Sequence, residues 1–148
     1  MMMTMKSATL ATAASLLALG LSMTACSKPE DPAKTQADVL KAEADGQAKV
    51  NAAANDAVKE HADNAADALA AGKPMSASDA KTDIDNLHKV DTTLADANYK
   101  VAQEKCDALT GNAKDACQDS AKAQHEADLA AAKAAQANAK SAIEQQQK

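Results

Sequence analysis

Large hydrophobic side chains are so scarce in this chain that they restrict what it can fold into. Beyond residue 25 the chain has 34 alanines but only thirteen Val, Leu or Ile residues, and Tyr99 is its one Phe, Trp or Tyr residue. Such a composition is too poor for a sizeable core and, taken alone, is typical of disorder. Ala, Lys, Gln and Glu are strong helix formers, however. We therefore predict an all-α protein with long, thin, Ala-rich helices.

Glycine and proline divide the chain into helical segments. Gly72 and Pro74 end a first helix, because Gly suits a helix C-terminus and Pro cannot continue the helix. Gly111 is suited to a left-handed C-cap, and Asn112 can cap the helix that follows. Residues 26–34, which contain two prolines, predict an extended tether. The remaining boundaries predict an Ala-rich helix over 35–71, a linker over 72–77 and a helical hairpin over 78–148.

Apolar residues recur at helical spacing in each predicted helix. The second helix starts after a cap at Ser76 or Ser78 and is expected to end near residue 109. The third is expected over 113–146, with a stripe that is mostly alanine and allows close approach of a partner helix. Gly46 is expected to weaken the first helix by roughly 1 kcal/mol relative to alanine. The stripe of the first helix consists of Val50, Ala54, Val58, Ala62, Ala65 and Leu69.

The N-terminal 25 residues have the pattern of a bacterial export signal. Lys6 supplies a basic end, an apolar run covers residues 8–23, and small residues precede Cys26. The run is short and diluted for a membrane span. The tetrapeptide that ends at Cys26 resembles the bacterial lipobox, in which the cysteine is acylated before cleavage. We predict a signal peptide over residues 1–25 and lipidation of Cys26; the alternative is an ordinary signal peptide that leaves a free thiol.

Charge and composition exclude one class of partner. The full chain carries a formal charge of −5, all its basic side chains are lysines, and it contains no arginine. Nucleic-acid binding needs a basic patch, usually with arginine or aromatic stacking residues. We therefore predict no nucleic-acid partner.

Cys106 and Cys117 are placed symmetrically about the predicted turn at Gly111 and Asn112. In one continuous helix they would lie about 16 Å apart. In an antiparallel hairpin they face each other within reach of a disulfide, which the oxidising environment of an exported protein would preserve. We predict a disulfide that staples the hairpin; the alternative is a pair of separate thiols in one long helix.

Catalytic and metal-binding patterns are weak. His88 with Asp91 and His125 with Asp128 share a spacing that could present two ligands on one helix face, whereas a zinc site needs three or four. His61 stands apart from both pairs. We predict solvent-exposed histidines, no metal, no cofactor and no enzymatic activity, because the chain lacks the core that forms a cleft.

The segment over residues 99–117 resembles a family of short, Ala-rich proteobacterial envelope proteins that carry a loose TolA-like label. The shared pattern is Cys-Asp-x-Leu-x-Gly-x-Ala-Lys-Asp-x-Cys, which begins at Cys106 and ends at Cys117. The resemblance implies location and architecture rather than chemistry. A vaguer similarity is to the murein lipoprotein, whose C-terminal lysine is joined to peptidoglycan. Lys148 is terminal here, but glutamines precede it, and we expect an exposed last residue rather than an attached one.

These features together predict a non-enzymatic lipoprotein that is anchored through Cys26 and faces the periplasm. Ser27 follows the cysteine where Asp is the usual inner-membrane retention signal in enteric bacteria, which favours the outer membrane. The expected role is structural or adaptor-like, with another envelope protein or peptidoglycan as partner. The alternative is a stress protectant that resembles late-embryogenesis-abundant segments, which fold on drying.

Overall fold

The computed structural model describes residues 29–147 of the chain, and these form three antiparallel α-helices. The helices are α1 (Pro32–Ala70), α2 (Ala77–Cys106) and α3 (Asn112–Gln146). The predicted all-α fold, with long Ala-rich helices and a C-terminal hairpin closed by a disulfide, is confirmed. Among the described residues, none of the helices combines the length and the hydropathy that crossing a membrane requires.

The helix ends follow from local chemistry. Asp31 accepts a hydrogen bond from the Ala33 amide at 2.8 Å and caps α1, with Pro32 in the first helical position. The helix therefore begins inside the predicted tether, three residues earlier than the sequence suggested. Ser76 caps α2 in a reciprocal capping box with Asp79, which decides between the two serines in favour of Ser76.

The turns between the helices use the two predicted glycines. Gly72 and Gly111 both have positive φ, at 64° and 55°, a backbone conformation that glycine adopts without a Cβ penalty. Helix α2 ends at Cys106, three residues before the predicted position. Gly111 rather than Asn112 occupies the N-cap position of α3, with no side-chain hydrogen bond to the helix end, so the expected capping by Asn112 is wrong.

Helix α2 is the centre of the molecule, because α1 and α3 both pack against it. Within residues 29–147, α1 and α3 do not pack against each other. Ala97 meets α1 and Cys106 meets α3, and these residues are nine positions apart, or about two and a half helical turns. They therefore point to opposite sides of α2. The three helices form a flat layer with α2 in the middle rather than a closed bundle.

The contact between α1 and α2 is made by small side chains. Thr35, Ala42, Gly46 and Ala53 are the buried residues of α1. A Cβ placed on Gly46 would lie 2.8 Å from the Ala97 Cβ, so the two backbones approach too closely for a larger residue. The expected apolar stripe of α1 is not the packing face, because Val58 is 68% exposed and Leu69 is 82% exposed. Gly46, expected only to weaken the helix, lies at a place where the two backbones approach each other closely.

Candidate functional site

The stapled turn joins α2 to α3 and is the best-defined side-chain arrangement in the molecule. Cys106 and Cys117 form a disulfide, with Cα atoms 5.6 Å apart. Cys106 is fully buried. Beside it, Lys114 donates to Asp107 at 2.7 Å across the turn, and this hydrogen bond raises the pKa of Lys114. Because both cysteines are held in the bond, this pair is structural rather than nucleophilic.

Cys26 and Lys148 lie outside the described residues. The structure nevertheless places the end of the chain to which Cys26 belongs. Helix α1 begins next to the stapled turn, because α1 and α2 run antiparallel and Glu43 pairs with Lys105 at 3.6 Å. The described chain therefore enters the layer at its stapled end.

The histidines lie between helices rather than in a cluster. His61 of α1 bonds Asp83 of α2 at 2.7 Å, and His125 of α3 bonds Asp96 of α2 at 2.7 Å. Tyr99 stacks on the His125 ring with centroids 4.6 Å apart. These contacts tie both outer helices to α2, a role that the sequence pattern did not reveal.

The two ligand-like pairs of the sequence are not assembled in the structure. His125 turns to Asp96, whereas Asp128 accepts from Gln124 at 2.8 Å. The Nδ1 atom of His88 is buried and finds no hydrogen-bond partner among the described residues. Within residues 29–147, no three His, Cys, Asp or Glu side chains come together in a way that would hold a metal ion.

The two faces of the helix layer differ in chemistry. On one, the polar face, cross-helix pairs connect Lys89 to Asp56 at 3.7 Å and His125 to Asp96 at 2.7 Å. Asp85 on the same face accepts from both Gln136 at 2.7 Å and Lys140 at 2.5 Å. The hydrogen bond from Lys140, aided by that from Gln136, lowers the pKa of Asp85.

The other face, which we call the apolar face, exposes large hydrophobic side chains that no helix of the layer covers. It is defined by Val58 and Leu69 of α1 and by Leu87 and Leu94 of α2. Leu87 is 60% exposed and Leu94 is 46% exposed. Residues two apart in a helix point in nearly opposite directions, so Leu87 and Leu94 lie opposite the Lys89 and Asp96 of the polar face.

Shallow grooves run along the apolar face on both sides of α2, and two of them are lined by its exposed leucines. The first, of about 210 Å³, lies between Val58 and Leu87, with the His61–Asp83 pair at its rim. The second, of about 380 Å³, lies between Leu94 and the alanines of α3, including Ala131 and Ala135, and is also lined by Asp91, Asn98 and Asp128. Contiguous exposed apolar surface on a protein marks a place where another molecule binds. In the sequence, the large residues of this face were recognisable as apolar residues at helical spacing in the first two predicted helices.

Comparison of the chain with protein-family models, with curated proteins and with solved structures finds no match.

Proposed function

We propose that this chain is a non-enzymatic envelope lipoprotein, anchored through an acylated Cys26 and acting as a structural or adaptor element in the periplasm. The observation that carries the proposal is the N-terminal pattern of basic residue, apolar run and small residues that ends at Cys26. A triacylated cysteine supplies more than one acyl chain, as stable membrane attachment requires. Ser27 favours the outer membrane over the inner one.

The helix layer has properties that suit an adaptor. Helix α1 has 39 residues and so spans about 58 Å. The disulfide and the His–Asp pairs hold the three helices in a defined arrangement, so the apolar face is already formed before a partner binds. Such preorganisation lowers the entropic cost of binding a partner. The shallow, open grooves suit a macromolecular surface better than a small substrate.

The first experiment tests the anchor directly. Mass spectrometry of the mature N-terminus should show acylated Cys26 as the first residue. The Cys26→Ser variant should leave the membrane fraction or remain uncleaved, while wild-type protein fractionates with the outer membrane. The Ser27→Asp variant is the matched control for sorting, and it should move to the inner membrane with its acylation intact. An unmodified N-terminus elsewhere, or a cleaved Cys26→Ser protein that still fractionates with the membrane, contradicts the proposal.

The second candidate function is a stress protectant, which the Ala- and Lys-rich composition favours. A protectant of that kind would be mostly coil in dilute buffer and would become helical on drying. The cross-helix pairs and the disulfide support a chain that is helical before it meets any partner. Circular dichroism of the mature chain in dilute buffer separates the two. A helical spectrum supports the adaptor, and a coil spectrum that turns helical on drying supports the protectant.

The possible attachment of Lys148 to peptidoglycan is tested separately. We expect Lys148 to be an exposed residue at a frayed helix end, where chain termini are usually mobile. Sacculi extracted with detergent and digested with muramidase should then contain none of the protein. Recovery of a muropeptide-linked form that is lost in Lys148→Ala would show that the chain joins the outer membrane to the cell wall.

A further inference from the structure

The apolar face of α2 carries polar residues in a regular order. Leu87, Leu94 and Val101 repeat every seven residues, and between them Asp91, Asn98 and Lys105 repeat with the same period. A seven-residue repeat is the spacing at which one helix packs along another, with charges and a central Asn setting orientation and register. All three polar residues are exposed. Lys105 also pairs with Glu43 of α1 at 3.6 Å, but its side chain remains 59% exposed and can meet a second chain.

The order of the polar residues is symmetric about Asn98. Asp91 lies seven residues before it and Lys105 seven residues after it, with opposite charges. A second α2 that runs antiparallel and is centred on the same residue would meet Asp91 with Lys105 and Asn98 with Asn98. An amide can donate to and accept from its own copy. A parallel copy would instead place like charges opposite each other, which is unfavourable.

We propose that two copies of this chain dock through their apolar faces, with the two α2 helices antiparallel and Asn98 on a two-fold axis. The contact is isologous, as in most homodimers: Asp91 of the first copy contacts Lys105 of the second, and Lys105 of the first contacts Asp91 of the second. Val58 of α1 is covered in the same contact, since it belongs to the same face as Leu87 and Leu94. Leu69 lies roughly 33 Å from the axis along α1 and stays outside the contact.

Two copies centred on Asn98 overlap over an area close to that of a stable dimer interface. The overlap is limited by the stapled end of the layer, because Asn98 lies about 12 Å before the end of α2 at Cys106 and about 20 Å from the level at which α3 starts. An overlap of about 25–40 Å across three helices spaced by about 8–10 Å covers roughly 600–1,000 Å² per copy, and stable interfaces bury about 800 Å² per partner. Alanines such as Ala131 and Ala135 at the edge leave little side-chain bulk to hold the copies apart.

This dimer is compatible with the proposed anchor and does not depend on it. The two-fold axis lies between the two layers, parallel to them and perpendicular to the helices, so both copies of α1 lie on the same edge of the dimer and run antiparallel. Both tethers leave the dimer along that edge, as two chains anchored in one membrane require. A soluble form of the protein would dimerise through the same face.

Site-specific crosslinking of the full chain in intact cells tests the interface. Asn98→Cys on the axis should give a covalent dimer with a short bismaleimide. Lys100→Cys, two positions away and therefore turned to the polar face, should not. Wild-type protein is the background control. Its Cys106 and Cys117 are already paired, so any crosslinked dimer of the wild type comes from an unacylated Cys26. Failure of the anchor is thus distinguishable from failure of the dimer.

Differently tagged Asp91→Cys and Lys105→Cys copies test the orientation. They should crosslink to each other, and neither should crosslink to itself, because the like residues of an antiparallel pair are about 21 Å apart along the helix. In detergent, native mass spectrometry should show a dimer that is weakened at least about tenfold by either Asp91→Lys or Lys105→Glu and restored when the two variants are mixed.

Three outcomes overturn the proposal. Equal crosslinking of Asn98→Cys and Lys100→Cys would show random collision rather than a defined face. Self-crosslinking of Asp91→Cys would show a parallel contact. Capture of a different protein by Asn98→Cys in place of the dimer would show that another chain occupies the apolar face.

Discussion

The two helix contacts of this layer are built from similar alanine-rich sequences but are held in different ways. Helices α2 and α3 are joined by the Cys106–Cys117 disulfide next to their turn. Helices α1 and α2 have no disulfide between them, and their backbones come close together where Gly46 meets Ala97, in the first half of α1 and the second half of α2. The comparison shows two ways to pair helices that lack large apolar side chains: a local crosslink, or backbones that come unusually close.

Removal of the disulfide should have the largest effect. The bond closes a loop with a sequence separation of 11 residues, and its loss should lower the free energy of unfolding by about 3 kcal/mol in the chain-entropy model. Much of the helix signal should remain, because Ala-rich helices of this length partly persist alone. Thermal unfolding followed by circular dichroism, with and without reductant, measures the loss.

The Cys106→Ala/Cys117→Ala double variant controls for effects of the reductant. It should match the reduced wild type, and reductant should not change its midpoint. Full labelling of both cysteines in denatured, unreduced protein taken from the periplasm would contradict the staple. In the double variant, the rate of backbone amide hydrogen exchange should increase most in the parts of α2 and α3 near the turn. The exchange rate in the middle of α1 should change less.

Gly46→Leu should have the next largest effect and should act on the other contact. A Cβ at this position already meets the Ala97 Cβ at 2.8 Å, and overpacking of a tight contact costs about 1–3 kcal/mol. The gain in helix propensity over glycine, about 1 kcal/mol, offsets only part of this cost. Urea unfolding should show lower stability, with increased protease cleavage in α1.

Ala48→Leu is the matched control for Gly46→Leu, because Ala48 lies on the exposed side of α1. It should leave stability nearly unchanged. The double variant Gly46→Ala/Ala97→Gly offers a second check, because it moves one methyl group from α2 to α1. Its free energy of unfolding should be higher than the sum of the two single-variant effects predicts. Additive effects would show that the two positions are not in contact.

Tyr99→Leu should have a smaller effect that is confined to the stapled hairpin. The Tyr99 ring stacks on His125, which also bonds Asp96, and aromatic pairs contribute about 0.5–1.5 kcal/mol beyond the area they bury. Leucine keeps much of the apolar volume but loses the stack. Chemical denaturation measures the difference, and His125→Leu in the Tyr99→Leu background should add less than it does in the wild type.

The smallest effect should be the pH dependence that Asp85 confers. Lys140 and Gln136 lower the pKa of Asp85 in the folded protein. A group with a lowered folded-state pKa stabilises the fold above its ordinary pKa, about 4, and loses this effect as the pH falls through the folded value. The difference in unfolding midpoint between wild type and Asp85→Asn should therefore be present at neutral pH and shrink below about pH 4.

Asp45→Asn is the control for Asp85→Asn. Lys41 lowers the pKa of Asp45 mainly through a hydrogen bond within α1, with a smaller contribution from the charge of Lys100 on α2, so its hydrogen bond does not join two helices. Only Asp85→Asn should increase hydrogen exchange in the second half of α3. Equal exchange in the two variants would show that the Asp85 contacts do not hold α3 to α2.

The amino-acid sequence alone determined which residues separate the helices and how the hairpin is paired. Gly72 follows the end of α1 and Gly111 precedes α3, both with positive φ, and Pro74 cannot extend a helix. The end of α2 was less well determined, because α2 stops at Cys106 with Asp107 as its C-cap and the expected C-cap at Gly111 is wrong. The hairpin register followed because two cysteines placed evenly about a turn can meet only when the helices run antiparallel. These features depend on local backbone chemistry, which does not change with the tertiary environment.

Only the tertiary structure decided which side of each helix is buried. Periodicity pointed to the stripe with Val58 and Leu69, but α1 packs through Gly46 and its neighbouring small residues, and the larger side chains remain exposed. Alanine is small and apolar on every side of such a helix, so hydrophobic spacing discriminates weakly between its faces. The choice depends on how closely two backbones can approach, and that distance is a property of the helix pair rather than of either sequence.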